Sequence, residues 1–437
     1  MLRPLAQSLV LIVAVSVTLL GTRIASAEDP LSWVEKEWDS LSRLYLHLHR
    51  NPELSMQEKE TSARIASELR SAGFEVTHPV GKYGVVGVLK NGDGPTVLVR
   101  CDMDGLPVTE QTEVEYASKA VATNTDGTQT GVMHACGHDI HMTSVVGAAR
   151  YLASHRNLWK GTLIVIGQPA EEIGAGAKAM LEDGLLTRFP KPDVAVALHV
   201  RPDIPTGSVG ICAGPAMANV DSVNITMHGR GGHGSAPEGT MDPIVQAAEL
   251  VVSLQTIVSR EISPTEPAVV TVGAIHGGTK HNIIPNSCEL KLTVRSYTDE
   301  MRKHLLDAIA RKARAVAKGA NAPEPTIEVS EGTPALYNDV ELTARISKLL
   351  GQTLGEDKVV TVPPSMGGED FSRYGREGIP ICMYRLGTIT QARLDRYKAA
   401  GVPSPALHSS KYLPDFEEAL PVGIQTMSII VMDLMKP

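Results

Sequence analysis

The sequence predicts an α/β domain interrupted by an inserted α+β domain, and three observations carry that prediction. Apolar runs at residues 96–101, 162–166 and 194–198 read as buried strands of an open α/β sheet, and acidic residues or histidine follow each within a few positions. Residues 219–331 instead read β-α-β-β-α-β, the ferredoxin-like order. From about residue 334 helix and strand alternate again, so the chain returns to its first domain. The expected divisions are 1–27, 28–218, 219–331 and 332–437.

A chain of 437 residues with 43% hydrophobic content can bury the cores of two or three domains. A net charge of −8 without any basic run excludes nucleic acid as the expected partner. Residues 1–27 read as an export signal: Arg3 leads, residues 9–20 are apolar, and Ala25-Ser26-Ala27 supplies small residues for cleavage. The apolar stretch is shorter than the roughly 20 residues a span needs, so a periplasmic or secreted protein with no stable membrane span is expected. The five cysteines are scattered, odd in number and lack a C-x-x-C pair, which does not indicate a disulfide framework.

In the first domain, residues 31–50 and 61–72 carry helical spacing, broken at Asn51-Pro52. His47 and His49 near that break read as polar helix-end residues. The strand at 96–101 runs into Asp102-Met103-Asp104-Gly105. Asp104 is either part of a plain turn or a group that orients a metal-binding histidine from behind.

Met133-His134-Ala135-Cys136-Gly137-His138-Asp139-Ile140-His141 packs a thiol, three imidazoles and a carboxylate into nine residues, donors that suit zinc-like ions. Gly137 lets the backbone bend so that Cys136 and His138 reach one centre. His134 and His141 receive no ligand role, and His141 reads as the polar face of a helix. Past the apolar run at 162–166 come Glu171 and Glu172, at the strand end where open sheets place their sites. One of the pair can bind metal while the other takes a proton from water. His199 ends a third apolar strand and is a further candidate ligand, and His408, in a loop before the last helix, is the final one.

The insert carries Gly231-Gly232-His233-Gly234, Asn282-Ile283-Ile284-Pro285 and Arg295. By themselves these read as a turn histidine and a solvated strand-end arginine.

Taken in order, M-H-A-C-G-H-D (133–139), Q-P-A-E-E (168–172), A-L-H (197–199), G-G-H-G-S-A-P (231–237), N-I-I-P (282–285), G-G-E-D-F (367–371) and L-H-S (407–409) resemble the hippurate hydrolase, or N-acyl-amino-acid amidohydrolase, family. That family sits with the plant auxin-conjugate hydrolases among the aminoacylase and carboxypeptidase G-like metallopeptidases. The resemblance runs from about residue 40 to the end. It implies a zinc-exopeptidase-like catalytic domain, a mixed sheet flanked by helices, with the ferredoxin-like insert as lid and dimerisation domain. It also implies two divalent ions (Zn, Mn, Ni or Co) held by Cys136, His138, Glu172, His199 and His408, with Cys136 bridging and Glu171 as general base. His233 would stabilise the developing oxyanion, in its own site or a partner's, while Asn282 and Arg295 meet the substrate's polar end. The implied reaction cleaves an N-acyl amino acid to a carboxylic acid and a free amino acid, in a homodimer or homotetramer. Ser410 stands where many relatives have proline.

A dipeptidase or carboxypeptidase would use the same metals. A non-catalytic binding protein would be expected to have lost Glu171 or a ligand, and a structural zinc module needs four closed ligands, often in C-x-x-C pairs.

Overall fold

The computed structural model describes residues 28–437, so the expected export signal lies outside the described residues. The large sheet has eight strands in the order Glu75–Val80, Gly84–Asn91, Gly161–Gln168, Thr96–Asp102, Val194–Pro205, Ile381–Ile389, Val209–Ile211, Val359–Thr361. Its four middle strands, Gly161–Gln168 to Ile381–Ile389, run parallel. They are buried along most of their length, which is why their sequences read as unbroken apolar runs.

Helices cover both faces. On one, Pro30–Arg50, His138–Ser154 and Phe416–Leu434 enclose a core that includes Leu41, Ile140, Val196 and Ile424. On the other, the short helices Gly176–Glu182 and Ser372–Arg376 pack Met180 and Tyr374 against Ala197 and Met383. Helix His138–Ser154 has 14 of its 17 residues buried, so its polar first turn is fixed in place and must find partners inside the protein.

The insert forms its own four-stranded antiparallel sheet, ordered Ala268–Gly277, Ser287–Ser296, Asn219–His228, Thr326–Glu331. Helices Pro243–Arg260 and Asp299–Gly319 pack on it around Val223, Leu250, Leu292 and Ile309. Asp242 and Thr298 cap the two helices through their side chains, which explains where each begins.

Several elements differ from the sequence reading. The strand bearing His199 does not end there but continues to Pro205, because Ile381–Ile389 keeps pairing with it. The strand Glu75–Val80 and the helix Gln391–Ala399 were not expected, since neither carries an apolar run. Among the described residues no helix is long and apolar enough to cross a membrane.

Candidate metal centre

Arg100 pairs with Ala197 across the parallel strands, so Asp102 lies level with His199 at the carboxyl end of the sheet. The first turn of helix His138–Ser154 points there too. Gly137 precedes it at φ 74°, and a side chain at that position would come within 2.6 Å of Val200, so only glycine fits between Cys136 and His138.

Cys136 Sγ lies 3.6 Å from His199 Nε2. Cys136, His138 and His199 bring their donor atoms within 4.8 Å of one another, and so do Cys136, Glu172 and His408. The five expected ligands thus form two triads that share one thiol. His408 Nε2 is 3.4 Å from Glu172 Oε2, while His138 Nε2 is 3.8 Å from Glu172 Oε1 and 3.9 Å from Glu171 Oε2. His138 Nδ1 donates to the Asp104 carbonyl (2.7 Å) and His199 Nδ1 to the Val200 carbonyl (2.8 Å). Each imidazole therefore keeps Nε2 as a free donor atom for the centre.

Asp104 does more than orient His138. Its carboxylate accepts the backbone N–H of Glu171 (3.1 Å) and of Glu172 (3.0 Å), together with the Ser55 hydroxyl (2.6 Å). The buried Glu58 takes the preceding amide, that of Ala170, at 2.7 Å. Three successive N–H groups are thereby held by two carboxylates, which fixes a loop whose Ala170 adopts φ 51°. His408 sits at φ 67°, likewise in the left-handed region that non-glycine residues seldom enter and that recurs at functional sites.

Beneath the centre is a buried charge network that the sequence reading left unassigned. Arg100 donates to Asp102 (2.6 Å), Glu369 (2.8 Å) and Asp370 (3.2 Å), and Asp370 also accepts from Gln168 (2.6 Å). Asp102 in turn accepts from His141 Nδ1 at 2.5 Å, and His141 Nε2 accepts the Val200 N–H at 2.8 Å. His141 is thus fully buried rather than a helix's polar face, and it ties the strand that carries His199 to the helix that carries His138. His49 does lie in the last turn of its helix, but it is buried there between Asp139 and Glu110. The available signals were an arginine inside an apolar strand and the acidic pair of the Gly-Gly-Glu-Asp motif.

Burial and the neighbours Glu369, Glu172 and Asp370 hold the Glu171 carboxyl well above its usual pKa. Burial likewise raises Glu172, to about 7, with His138 opposing it. Burial lowers His138, yet Asp102 and Asp104 outweigh it and push the ring up to about 10. So many acids converging on one imidazole make a place for positive charge. The buried Nε2 of His138 and Oε1 of Glu172 have no hydrogen-bond partner, and with a thiol and two more imidazoles they suit a zinc-like ion.

The centre opens into a cleft of about 840 Å³ lined by Cys136, Glu171, Glu172, His199 and His408 together with Arg295 of the insert. His233 and Asn282 do not line it. They lie together on the exposed ribbon where Gly232–His233 pairs with Ile283–Ile284, His233 Nδ1 accepting from Ser235.

A mixed sheet carrying clustered metal donors and a carboxyl with raised pKa at its strand ends defines a metal-dependent hydrolase. The chain belongs to peptidase family M20/M25/M40, whose model matches residues 98–431. It is 36% identical over 359 residues to the N-acetyl-L-cysteine deacetylase of Bacillus subtilis, covering 82% of each chain. To the hippurate hydrolase of Campylobacter jejuni it is 40% identical over 326 residues, 74% of this chain and 82% of that one. The solved structure of a dinuclear metal binding peptidase from Bacillus subtilis matches with a TM-score of 0.76 at 32% identity, covering 92% of this chain and 99% of that one. The protein is therefore a metal-dependent amidohydrolase of this family.

Proposed function

We propose that the protein is exported and cleaves N-acyl amino acids to a carboxylic acid and a free amino acid. One observation carries the reading: two ligand triads share the Cys136 thiol in a cleft that also presents the Arg295 guanidinium, which has no hydrogen-bond partner among the described residues. A metal pair beside a free guanidinium suits an amide that also bears a carboxylate. The relatives named above, a deacetylase of an N-acetyl amino acid and a hippurate hydrolase, support the same substrate class.

Cys136, His138 and His199 would hold one ion, and Cys136, Glu172 and His408 the other. Two divalent ions bound there would supply Lewis acidity to the amide carbonyl and to water. Glu171 takes the water proton and passes it to the leaving amine nitrogen. Arg295 pairs with the substrate carboxylate. His233, exposed and outside its own cleft, enters a partner subunit's site and meets the developing oxyanion, with Asn282 nearby. Apolar side chains left exposed on the insert, Val252 (70%), Ile283 (50%) and Ile275 (48%), support pairing of two copies there. The Arg3-led apolar stretch and Ala25-Ser26-Ala27 support export to the periplasm or the medium.

The test is a screen of the metal-reconstituted protein against N-acetyl and N-benzoyl amino acids and unblocked dipeptides. Acyl amino acids are expected to turn over faster. A clear preference for dipeptides would make the protein a dipeptidase or carboxypeptidase instead.

A further inference from the structure

The cleft contains a second guanidinium that the proposed reaction does not use. Arg385, on strand Ile381–Ile389, stands in register with His199 on the neighbouring parallel strand, so both side chains share the face that carries the metal centre. Its neighbour on the other side is Gly210, where a side chain would crowd Arg385 Cβ at 3.1 Å. The missing Cβ leaves room for the arginine stem.

Arg385 is half-buried, lines the cleft, and makes no hydrogen bond or ion pair with any described residue. Arg201, also in the lining, is different: Asp203 accepts from it at 2.7 and 3.0 Å. The lining acids are Glu171, Glu172 and Asp203. The first two are committed to base and ligand, and the third to Arg201. Arg295 and Arg385 are therefore both left without an ion-paired or hydrogen-bonded acid, although a substrate with one carboxylate satisfies only one of them. Holding a partly desolvated cation unpaired is costly, and a guanidinium is shaped to take a carboxylate through two parallel hydrogen bonds.

We propose that Arg385 recognises a second carboxylate on the substrate, so that the preferred substrates are N-acyl amino acids bearing an additional acidic group on the acyl arm or on the amino-acid side chain. This rests on the amidohydrolase reading above and narrows it.

The test compares kcat/KM of the metal-loaded enzyme for N-acetylmethionine, N-succinylmethionine and N-acetylglutamate. One of the two dicarboxylates is expected to be preferred, and which one it is locates the acidic group. Arg385→Met should lower that preference by about 10-fold or more, chiefly through KM, and Arg385→Lys should keep part of it. An equal fall for all three substrates, or no dicarboxylate preference in the unmodified enzyme, overturns the proposal. Hydrolysis of none of them would overturn the amidohydrolase reading instead. Calorimetry on the metal-loaded protein then decides the role of Arg385: glutarate binding more tightly than butyrate, with the difference lost in Arg385→Met, supports it, and equal binding refutes it.

Discussion

The backbone carbonyl of Asp104 accepts the Nδ1 proton of His138 at 2.7 Å, while the Asp104 carboxylate holds the amides of Glu171 and Glu172. One residue thus sets the angle of a candidate ligand and the position of the loop that carries both the proposed base and another ligand. Two variants test the proposed base and the carboxylate that supports its loop separately. Glu171→Gln keeps the donor atoms and should leave metal content intact while slowing turnover by about 10²-fold or more. Asp104→Ala frees the loop and should weaken metal affinity by about 10- to 100-fold. Near-normal turnover of Glu171→Gln with full metal would remove Glu171 from the proton-transfer role.

The second expectation concerns the thiol. Burial, with Glu172 and Glu171 close by, raises the Cys136 pKa well above its usual range, so without a cation the group keeps its proton. Metal uptake should then release that proton and tighten as pH rises. Peptide mapping after prolonged alkylation at alkaline pH, where a share of the buried thiol ionises, should show Cys136 labelled slowly in metal-free protein and protected in loaded protein. Cys212, half-buried and outside the ligand groups, should react alike in both. Equal labelling of Cys136 in the two forms would count against a bridging role.

Legibility in the sequence followed the range of the interaction. The central strands were readable because burial on both faces leaves apolar runs, and the insert because its order of elements repeats a known arrangement. Cys136 and His138 announced themselves by adjacency. Arg100 could not be placed, since its partners Glu369 and Asp370 lie 269 and 270 residues away and only the folded sheet joins them. His49 looked like an ordinary helix end because Asp139, its partner, is 90 residues downstream. Arg385 stayed hidden inside a buried strand until its register with His199 was known.

The third expectation tests the substrate carboxylate. Arg295→Leu removes a cation from the cleft, so hydrolysis of acyl amino acids should fall about 10-fold or more beyond that of their uncharged amides. A matched loss in both would make Arg295 a structural residue.

The fourth concerns pH. The His49 ring donates through Nδ1 to Asp139 (2.7 Å) and through Nε2 to Glu110 (3.1 Å), with the Tyr45 hydroxyl 3.3 Å from Nδ1. Burial lowers its pKa, but the two acids outweigh burial and raise it to about 9. A folded-state pKa above the unfolded value of roughly 6.5 means that the protonated ring favours folding. That contribution is fully present below about pH 6.5 and is lost as pH rises through about 9, with an upper bound of about 3 kcal/mol. Urea unfolding of the unmodified protein should therefore show declining stability across this window, and His49→Gln should make that slope shallower, the remainder coming from His138, whose ring is raised to about 10. The same slope in both proteins would show that His49 does not titrate there.

The last expectation addresses where His233 acts. The histidine lies on an exposed ribbon of the insert and is absent from the lining of its own cleft, whereas Arg295 of the same insert reaches that lining. If pairing of two inserts carries His233 into the partner's site, His233→Ala and Glu171→Gln are separable defects. Each variant alone forms inactive sites. Mixed and allowed to exchange subunits, half of the dimers should contain one of each, and every mixed dimer should hold one site with both residues intact. About a quarter of all sites should then recover activity, read as turnover per metal-loaded subunit after exchange is verified by mass. If His233 serves its own subunit, every site keeps one defect and no activity returns. Absence of recovery despite proven exchange would therefore refute delivery between subunits and place any role of His233 within its own chain, reached through closure of the insert over the cleft.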